Sequence, residues 1–597
     1  MRNRGPDAHG VHHASVAGHN LSLLHTRLSI IDLDPRANQP LSSDGCVLVF
    51  NGEIYNYLEL RGELKTRGHK FRTASDSEVV IKAYREFGEA CVEHFEGMWA
   101  FALHDERKET LFLSRDRFGE KPLYYALWDG VLYFGSEVKY LATLSGRAPA
   151  ANQTHIRRYL VNGYKSLNKH AKGGHKTFFR DVHELPAASS VVLREPNSFH
   201  PKQYWELNYR PTAMTGKAAL EGVREHLYRA MELRLRADVP IAFCLSGGVD
   251  STALASIAAL HFGREIHAFT VIDRDERYDE AENVARTVER LGCHHHVAHT
   301  SREGFFDRMT MLTAYHDSPI STISYYVHSF LSEAIAGNGF KVSISGTAAD
   351  ELFTGYYDHY SFWLAEMQGR DDIDDLLEDW KGSYGAHVQN PLLQDPLAFH
   401  KNPAQRGHIY LNRSIFNEFL VTPLDEEFNE TAYCSNLLRN RMLNELFQES
   451  VPIMLHEDDL NSMRWSVENR SPYLDSKLAA FLYTVPAEHL IHDGYVKRLL
   501  REAVADLAPK EVLGDKRKRG FNASIESLVD RNDGKTMERL LAPSPIFDLV
   551  KREAIEKFLL NEMHDNSFSK FLFSFIAAKL FLESPLLSSD QAVLSAA

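Results

Sequence analysis

The stretch IAFCLSGGVDSTALASIAAL, residues 241–260, decides the fold of the second half of the chain. Its apolar beginning, residues 241–245, predicts a buried strand, and the run from Ser251 onward predicts a helix. Gly247 and Gly248 lie between the two, where backbone amides can closely approach a ligand. Because the free N–H groups at the start of a helix favour an anion, the sequence predicts a phosphate-binding loop at this point.

Three polar side chains in this loop indicate what accompanies the phosphate. The hydroxyls of Ser246 and Ser251 can donate hydrogen bonds to an anion. Asp250 is unsuited to a site that only holds an anion, so its presence suggests a divalent cation bound with the phosphates. A glycine pair after a strand is by itself most often a structural turn, and it is the whole pattern SGGVDS at 246–251 that favours a functional loop.

Length and composition limit the number of domains, the binding partners and the compartment that the chain can have. At 597 residues, the chain is several times a typical domain of about 150 residues. Its 67 Lys and Arg against 81 Asp and Glu give a net charge of −14, which argues against nucleic acid or a membrane surface as a partner. Five scattered cysteines and the lack of a long apolar segment predict a cytoplasmic chain in a reducing compartment.

The pattern changes near the middle of the chain. Up to about residue 205 it predicts short alternating strands and a helix over residues 76–87, hence antiparallel sheets covered by helices. Beyond a polar stretch it predicts long helices interleaved with single apolar strands. We therefore predict domains at 1–207 and 216–590. The predicted strands of the first half include residues 46–50, 111–114 and 131–134.

A second strand–glycine–helix unit, KVSISGTAADELFTGY at 341–356, makes a family resemblance specific. SGGVDS resembles the pyrophosphate loop of the ATP pyrophosphatase superfamily, and the second unit resembles the SGEGADELFGGY motif of asparagine synthetases. Further segments that resemble this family are LNSMRWSVENRSPYLD (460–475), GYVKRLLREA (494–503) and KRKRGF (516–521).

The resemblance implies an α/β parallel-sheet ATP-pyrophosphatase domain that takes ATP as substrate and uses Mg²⁺. It implies Asp250 and Asp350 as metal ligands, with Glu351 supporting Asp350. It also implies that Lys497, on a helix, neutralises charge between the phosphates, and that KRKRGF has a structural or phosphate-facing role. The expected ATP-binding residues are Leu245, Ser246, Gly247, Gly248, Asp250, Ser251, Val271, Ser345 and Gly346.

The first half resembles the glutamine amidotransferase domain of the same enzymes. This implies an α+β N-terminal-nucleophile-type αββα sandwich that lacks its first strand. Arg27 is expected to bind the glutamine carboxylate and Asp76 its amino group, because a guanidinium pairs with a carboxylate and a carboxylate with an ammonium. Asn51 and the Gly52 amide are expected to form an oxyanion hole, with Glu53 also in the glutamine site. The motifs are RGPD (4–7), RLSIID (27–32), FNGEIYN (50–56), SDSEV (75–79), GMWAFAL (97–103), RDRFGEKPLYY (115–125) and GSEVKYL (135–141).

The family nucleophile does not occur among the residues of this sequence. Family members begin Met-Cys-Gly-Ile, and the exposed terminal cysteine attacks glutamine with its own α-amine as base. None of the five cysteines here has a free α-amino group. Either the native start lies upstream and supplies the cysteine, or the chain uses free ammonia. We expect the upstream start, because a retained pocket with Arg27 and Asp76 has little purpose without a nucleophile.

The resemblance implies ATP-dependent amidation of a carboxylate through an acyl-adenylate. Where the family usually has SGEGADE, this chain has Thr347 and Ala348, and a threonine cannot act as a base at pH 7. We expect aspartate to be converted to asparagine with glutamine or ammonia as nitrogen donor, in an enzyme that can form a homodimer. The alternatives are another acceptor such as a uronic acid of a surface polysaccharide, an ammonia-only synthetase, a β-lactam-forming relative, or a non-catalytic binding regulator.

Overall fold

The computed structural model describes residues 1–168, 177–272, 280–517, 524–560 and 566–587. The strands of the first half are β1 (Ala8–Val16), β2 (His19–Arg27), β3 (Leu41–Ser43), β4 (Cys46–Ile54), β5 (Gly97–Asp105), β6 (Thr110–Arg115), β7 (Tyr124–Trp128), β8 (Val131–Gly135), β9 (His183–Glu184), β10 (Ser189–Leu193) and β11 (Lys202–Gln203). Its helices are α1 (Tyr57–Thr66), α2 (Asp76–Phe87), α3 (Cys91–His94), α4 (Val138–Ser145) and α5 (Gln153–Asn162).

A six-stranded antiparallel sheet, in the order β11-β10-β6-β5-β4-β3, is the centre of the first half. Alternate residues of each strand point to opposite faces of this sheet. Both faces are buried, each in a separate core. On one face Leu48 and Phe101 pack with Val79 and Val80 of α2. On the other face, Val47 packs in a separate core with β2 residues. The antiparallel sheets covered by helices that the sequence predicts are thereby confirmed.

The second half contains long helices and the strands β12 (Ile241–Cys244), β13 (His267–Ile272), β14 (His294–His299), β15 (Val342–Ile344) and β16 (Glu468–Arg470). Its helices are α6 (Gly216–Arg234), α7 (Val249–Ser256), α8 (Ala281–Leu291), α9 (Phe305–His316), α10 (Ile323–Gly337), α11 (Ala349–Phe353), α12 (Tyr357–Glu366), α13 (Ile373–Lys381), α14 (Ala398–Lys401), α15 (Arg413–Glu418), α16 (Leu437–Asn444), α17 (Val451–Met463), α18 (Ser476–Leu482), α19 (Arg498–Ala503), α20 (Lys510–Gly514), α21 (Ile525–Leu528), α22 (Gly534–Leu541), α23 (Arg552–Leu560) and α24 (Asn566–Leu582).

The five strands of this half form a parallel sheet in the order β14-β13-β12-β15-β16, which confirms the predicted α/β class. From β12 the chain adds β13 and β14 on one side, and later adds β15 and β16 on the other. The direction of winding therefore reverses between β12 and β15. In open parallel sheets, ligands bind at the carboxyl ends of the strands at such a reversal. The loops after β12 and β15 occupy this position.

Residues 204–215, between β11 and α6, form neither helix nor strand. The proposed domain limits of 207 and 216 lie at or within one residue of this segment, and the division stays a prediction. The predicted KRKRGF segment lies outside the described residues from 518 onward, as do residues 588–590 of the second predicted domain. No helix in the described ranges combines the length and the apolar character needed to cross a bilayer.

A buried ion cluster joins the two halves. The Asp459 carboxylate, on α17, lies 2.6 Å from Arg4 Nη1 and 3.2 Å from Lys121 Nζ, both from the first half. Burial alone would raise the pKa of Asp459, but these two cations lower it to about 2. The motifs RGPD and RDRFGEKPLYY thus contribute to the contact between the halves.

We expect Asp459→Asn to destabilise the protein by about 3–5 kcal/mol, because it leaves two buried cations without their carboxylate. Urea unfolding followed by circular dichroism measures the change, with Asp375→Asn on an exposed site of α13 as control. Since the folded pKa is depressed, the stabilisation is present above about pH 4 and is lost as pH falls toward about 2. Equal stability of the two variants at pH 7 would contradict this prediction.

Candidate active site

The predicted phosphate loop lies between β12 and α7. Leu245 continues from β12, its N–H donating to the Phe269 carbonyl at 2.8 Å, and α7 begins at Val249. The Ser251 hydroxyl accepts the Ser246 N–H at 3.0 Å and lies 3.0 Å from the Ser246 hydroxyl. These contacts hold the loop in a tight turn. The role of both hydroxyls toward an anion stays a prediction.

The companion loop follows β15, directly beside the first loop. A Cβ on Gly346 would lie 3.0 Å from the Asp250 Cβ, so the small residue lets the two loops approach. Ala348 takes a left-handed backbone conformation, with φ of 72°, just before α11. The Ser345 and Thr347 hydroxyls lie 3.1 Å apart. The two motifs that the sequence predicted to act together are therefore neighbours at the carboxyl edge of the sheet.

Lys497 brings the two predicted carboxylates together. Its Nζ lies 2.7 Å from both carboxylate oxygens of Asp250 and 2.5 Å from Asp350 Oδ1. Burial alone would lower the pKa of Lys497, but the two carboxylates raise it. The expectation that this lysine is on a helix is wrong, since α19 begins at Arg498 and Lys497 precedes it with a φ of +56°. This left-handed residue ends the preceding loop and turns the side chain toward the carboxylates.

The same two carboxylates fit a divalent cation. Asp250 and Asp350 share one cationic group, the Lys497 ammonium, so a single ion between them can be reached by oxygens from both. Carboxylate oxygens are the ligands that Mg²⁺ prefers in proteins. The donor set therefore fits the predicted metal, while its binding stays a prediction.

One backbone amide of the phosphate loop is already occupied by a carboxylate. The Gly247 N–H donates to Glu280 Oε2 at 3.0 Å, and a Cβ on Gly247 would lie 2.6 Å from the Glu280 Cβ. A carboxylate oxygen on this amide stands where the sequence predicts a phosphate oxygen. The sequence analysis missed Glu280, because it belongs to another element and becomes close only when β13 and α8 fold beside β12.

A cavity of about 2370 Å³ opens beside the two loops. It is lined by most of the predicted ATP-binding residues, among them Leu245, Val271 and Ser345, together with Asp250 and Asp350. Charged residues that the sequence analysis missed also line it, among them Lys165, Arg406 and Asp458. They come from segments far apart in the sequence, so no local motif identifies them.

Glycine at position 355 is a further requirement of the site that the sequence analysis missed. A methyl group there would overlap the Asp350 carboxylate and would lie 2.5 Å from Lys497 Cε. Glu351, expected to support Asp350, is buried and accepts a hydrogen bond from the Tyr356 hydroxyl at 2.5 Å. Burial and the nearby Asp350 raise the pKa of Glu351 to about 7.

Of the residues predicted to bind glutamine, Arg27 ends β2, and the others lie on β4 and at the start of α2. Asn51, Gly52 and Glu53 are consecutive on β4, and Asp76 Oδ2 accepts the N–H of Ile54 at 2.9 Å. Gly52 has a φ of 140° and no room for a side chain against Met98. Burial raises the pKa of Asp76 and of Glu53, and the negative Asp76 raises that of Glu53 further.

Arg27 has its guanidinium directed to the loop that follows β2. It donates to the carbonyls of Asp34 at 3.1 Å and Ile31 at 3.2 Å, to that of Asp32, and to Asn38 Oδ1 at 2.9 Å. The structure thus places Arg27 among backbone acceptors, and its binding of a glutamine carboxylate stays a prediction.

The internal cysteines are poorly suited to act as nucleophiles. A thiol attacks as its thiolate, so a low pKa favours reactivity. Burial raises the pKa of all five thiols, to about 12 for Cys46 and Cys244. This agrees with the inference that none of them replaces a terminal cysteine.

Family models match most of the chain. A model described as a glutamine amidotransferase domain matches residues 1–205, and one described as asparagine synthase matches residues 222–583. The second match alone covers more than half of the chain. Together they account for both motif sets that the sequence analysis identified.

Several named proteins are similar to this chain over most of their length. Asparagine synthetase [glutamine-hydrolyzing] 1 of Bacillus subtilis is 26% identical over 579 residues, 94% of this chain and 89% of the relative. A putative asparagine synthetase [glutamine-hydrolyzing] 2 of Methanocaldococcus jannaschii is 30% identical over 77% of this chain and 87% of its own. Amidase chry2 of Gibberella zeae is 28% identical over 86% of this chain and 82% of its own.

We expect Gly355→Ala to weaken ATP binding in the presence of Mg²⁺ at least about tenfold, or ~1.4 kcal/mol, because the methyl group displaces Asp350 and Lys497. Isothermal titration calorimetry measures the affinity. Gly62→Ala, on an exposed site of α1 with open space around it, is the control and should bind like the unaltered chain. Unchanged affinity in Gly355→Ala would contradict the assigned site.

Proposed function

Since the chain belongs to the asparagine synthase family, as a glutamine-hydrolysing ligase of that type, we propose that its acceptor is aspartate and its product asparagine. ATP-dependent amidation of a carboxylate is the common chemistry of this family. The choice of aspartate is supported by the names of the relatives and by the retained loops at 246–251 and 345–350. A homodimer stays an expectation.

The observation that carries the proposal is the arrangement of Asp250, Lys497 and Asp350 at the carboxyl edge of the parallel sheet. A carboxylate is a poor electrophile, so its oxygen must become a leaving group before ammonia can attack the carbon. Attack of that oxygen on the α-phosphate of ATP forms an acyl-adenylate and releases pyrophosphate. A site for this step must hold the phosphates in line and neutralise their charge.

Each residue of the arrangement has a part in this step. The amides of the 246–251 loop and the start of α7 bind the pyrophosphate. Lys497 donates to oxygens between the phosphates as their charge develops. Asp250 and Asp350 would hold Mg²⁺, which offsets phosphate charge when bound. Glu280 must leave the Gly247 amide when a phosphate oxygen takes its place.

In the same proposal, bound glutamine supplies the nitrogen, and residues of the first half bind it. Asp76 binds the amino group of glutamine, Arg27 its carboxylate, and Asn51 with the Gly52 amide stabilises negative charge on the amide oxygen. Free ammonia is the second possible nitrogen source, because ammonia that enters the synthetase site directly can attack the acyl-adenylate without glutamine. The two sources are distinguished by supplying glutamine or ammonium chloride alone.

A larger carboxylate is the second candidate acceptor, since the cavity that would hold it together with ATP has room for both. At about 2370 Å³ it exceeds the roughly 300–1,000 Å³ of ordinary ligand sites. Lys165 lines it and can donate to additional anionic or hydroxyl groups. Thr347, in place of the family glutamate, removes one negative charge. A uronic acid of a surface polysaccharide fits these features.

Incubation with ATP, Mg²⁺ and ammonium chloride, with aspartate or glucuronate in separate reactions, tests the acceptor by mass spectrometry of the products. Asparagine formed with release of pyrophosphate would support aspartate. Amidated glucuronate alone would favour the second candidate. Neither product, from protein that binds ATP, would overturn both.

We expect Lys497→Met to reduce pyrophosphate release about a hundredfold or more, because a buried donor to the developing charge is lost. A coupled pyrophosphate assay measures the rate. Lys510→Met, at an exposed site on α20, serves as the matched control and should retain the rate. Comparable rates in the two variants would remove Lys497 from the proposed step.

We expect glutamine binding to weaken as pH falls, and to do so at a higher pH than for an ordinary carboxylate. An ammonium group binds ionised Asp76, and burial raises the pKa of this carboxyl. Titration of glutamine into the protein by calorimetry between pH 5 and 8 measures the effect. In Asp76→Asn, glutamine binding should be weak at every pH, whereas ammonia-dependent amidation should be retained.

A further inference from the structure

Thr347 in this chain is hydrogen-bonded to a carboxylate from another element. The Thr347 hydroxyl donates to Asp458 Oδ2 at 2.8 Å, and Asp458 belongs to α17. The two residues are 111 positions apart in the sequence. Thr347 stands where the resembled family usually has a glutamate, so the bond places a carboxylate next to the position from which one is missing.

Asp458 faces the same cavity as the nucleotide loops. It lines this cavity with Ser246, Ser345, Gly346 and Thr347. The network extends further, since the Ser345 hydroxyl lies 3.1 Å from that of Thr347 and accepts a hydrogen bond from Asn469 Nδ2 at 3.0 Å. The carboxylate is thus held by a short chain of neutral polar groups at the edge of the site.

The two acidic neighbours of Asp458 in the sequence have different surroundings. Glu457 accepts the Ser321 N–H at 2.7 Å and lies 3.1 Å from His316 Nδ1. Asp459 is bound by the buried cations of the first half. These contacts fix α17 on both sides of Asp458, so that its carboxylate is directed into the cavity.

The surroundings of Asp458 favour exchange of a proton near neutral pH. Burial, together with the nearby charges of Glu457 and Asp459, raises the pKa of Asp458 to about 7 against the opposing effect of the bond from Thr347. A general base is most effective when its pKa lies near the working pH. Asp458 can therefore exist as the carboxylate and accept a proton in the same pH range.

We propose that Asp458, positioned by Thr347, is the general base for attack of ammonia on the acyl-adenylate. This role rests on the proposed function. The nitrogen lone pair forms the C–N bond, an N–H proton passes to the Asp458 carboxylate, and the C–O bond to AMP breaks with its electron pair leaving on the phosphate. Asp458 then releases the proton to solvent. Thr347 is a positioning residue, because its hydroxyl holds the carboxylate and does not itself accept the proton.

Two measurements separate adenylation from attack by ammonia. Acceptor-dependent exchange of labelled pyrophosphate into ATP reports the first step, and amide formation from ammonium chloride reports both. The acceptor is aspartate or glucuronate, whichever the unaltered chain amidates. Absence of exchange in the unaltered chain with either acceptor would overturn the proposed function and, with it, the role of Asp458.

We expect Asp458→Asn to keep the exchange rate within about threefold and to lower amide formation about a hundredfold or more. The asparagine amide oxygen can still accept the Thr347 hydrogen bond, so the fold and the loop are conserved. With hydroxylamine in place of ammonia the loss should be smaller, because its nitrogen is a stronger nucleophile. Asp375→Asn, on an exposed site of α13, should change neither rate.

A relocated carboxylate provides the second test. The double variant Thr347→Glu with Asp458→Asn restores a carboxylate at the position where the family usually has it. We expect it to regain at least about a tenth of the unaltered rate of amide formation. Unchanged amide formation in Asp458→Asn, or an equal loss of exchange and amide formation, would overturn the role of Asp458 as base.

Discussion

The buried carboxylate of Asp459 constrains the arrangement of the two halves. Its two cations, Arg4 and Lys121, come from the first half, while Asp459 itself lies on α17 of the second. A buried charge of this kind requires its partners, so the ion cluster restricts how the halves can be placed. Because Asp458 precedes it on the same helix and lines the cavity beside the two loops, the restriction extends to the predicted nucleotide site.

A second buried charge, that of Arg470, connects the parallel sheet to Glu53, one of the residues predicted to bind glutamine. Arg470, on β16, donates to Glu468 at 2.8 Å and lies 3.6 Å from Glu53 Oε1, on β4 of the first half. The positive charge of Arg470 opposes the increase in the pKa of Glu53 that burial causes. Since β16 is adjacent to β15, Arg470 connects Glu53 to a strand next to the loop that follows β15.

Local sequence patterns predicted the helix at residues 76–87 with its limits, while the strands predicted at 46–50, 111–114 and 131–134 lie within the longer strands β4, β6 and β8. Residues 76–87 form α2 as predicted, because apolar residues recur on one face and Gly88, with a φ of 63°, ends the helix. The helix that the family resemblance implied for Lys497 was wrong, since α19 starts at Arg498. The resemblance does not reveal a left-handed residue that directs a buried lysine to distant carboxylates.

The sequence by itself determined the two strand–loop–helix units, the residue types of the phosphate loop and the family to which the chain belongs. These features depend on neighbours within a few positions, where backbone preferences and glycine placement suffice. Only the tertiary structure decided that Lys497 joins Asp250 across 247 positions, and that Thr347 meets Asp458. Parallel strands bring the loops of Asp250 and Thr347 to one edge of the sheet, irrespective of the length of chain between them. Lys497 and Asp458 reach these loops because α19 packs against α7 and α11, and α17 packs against β16.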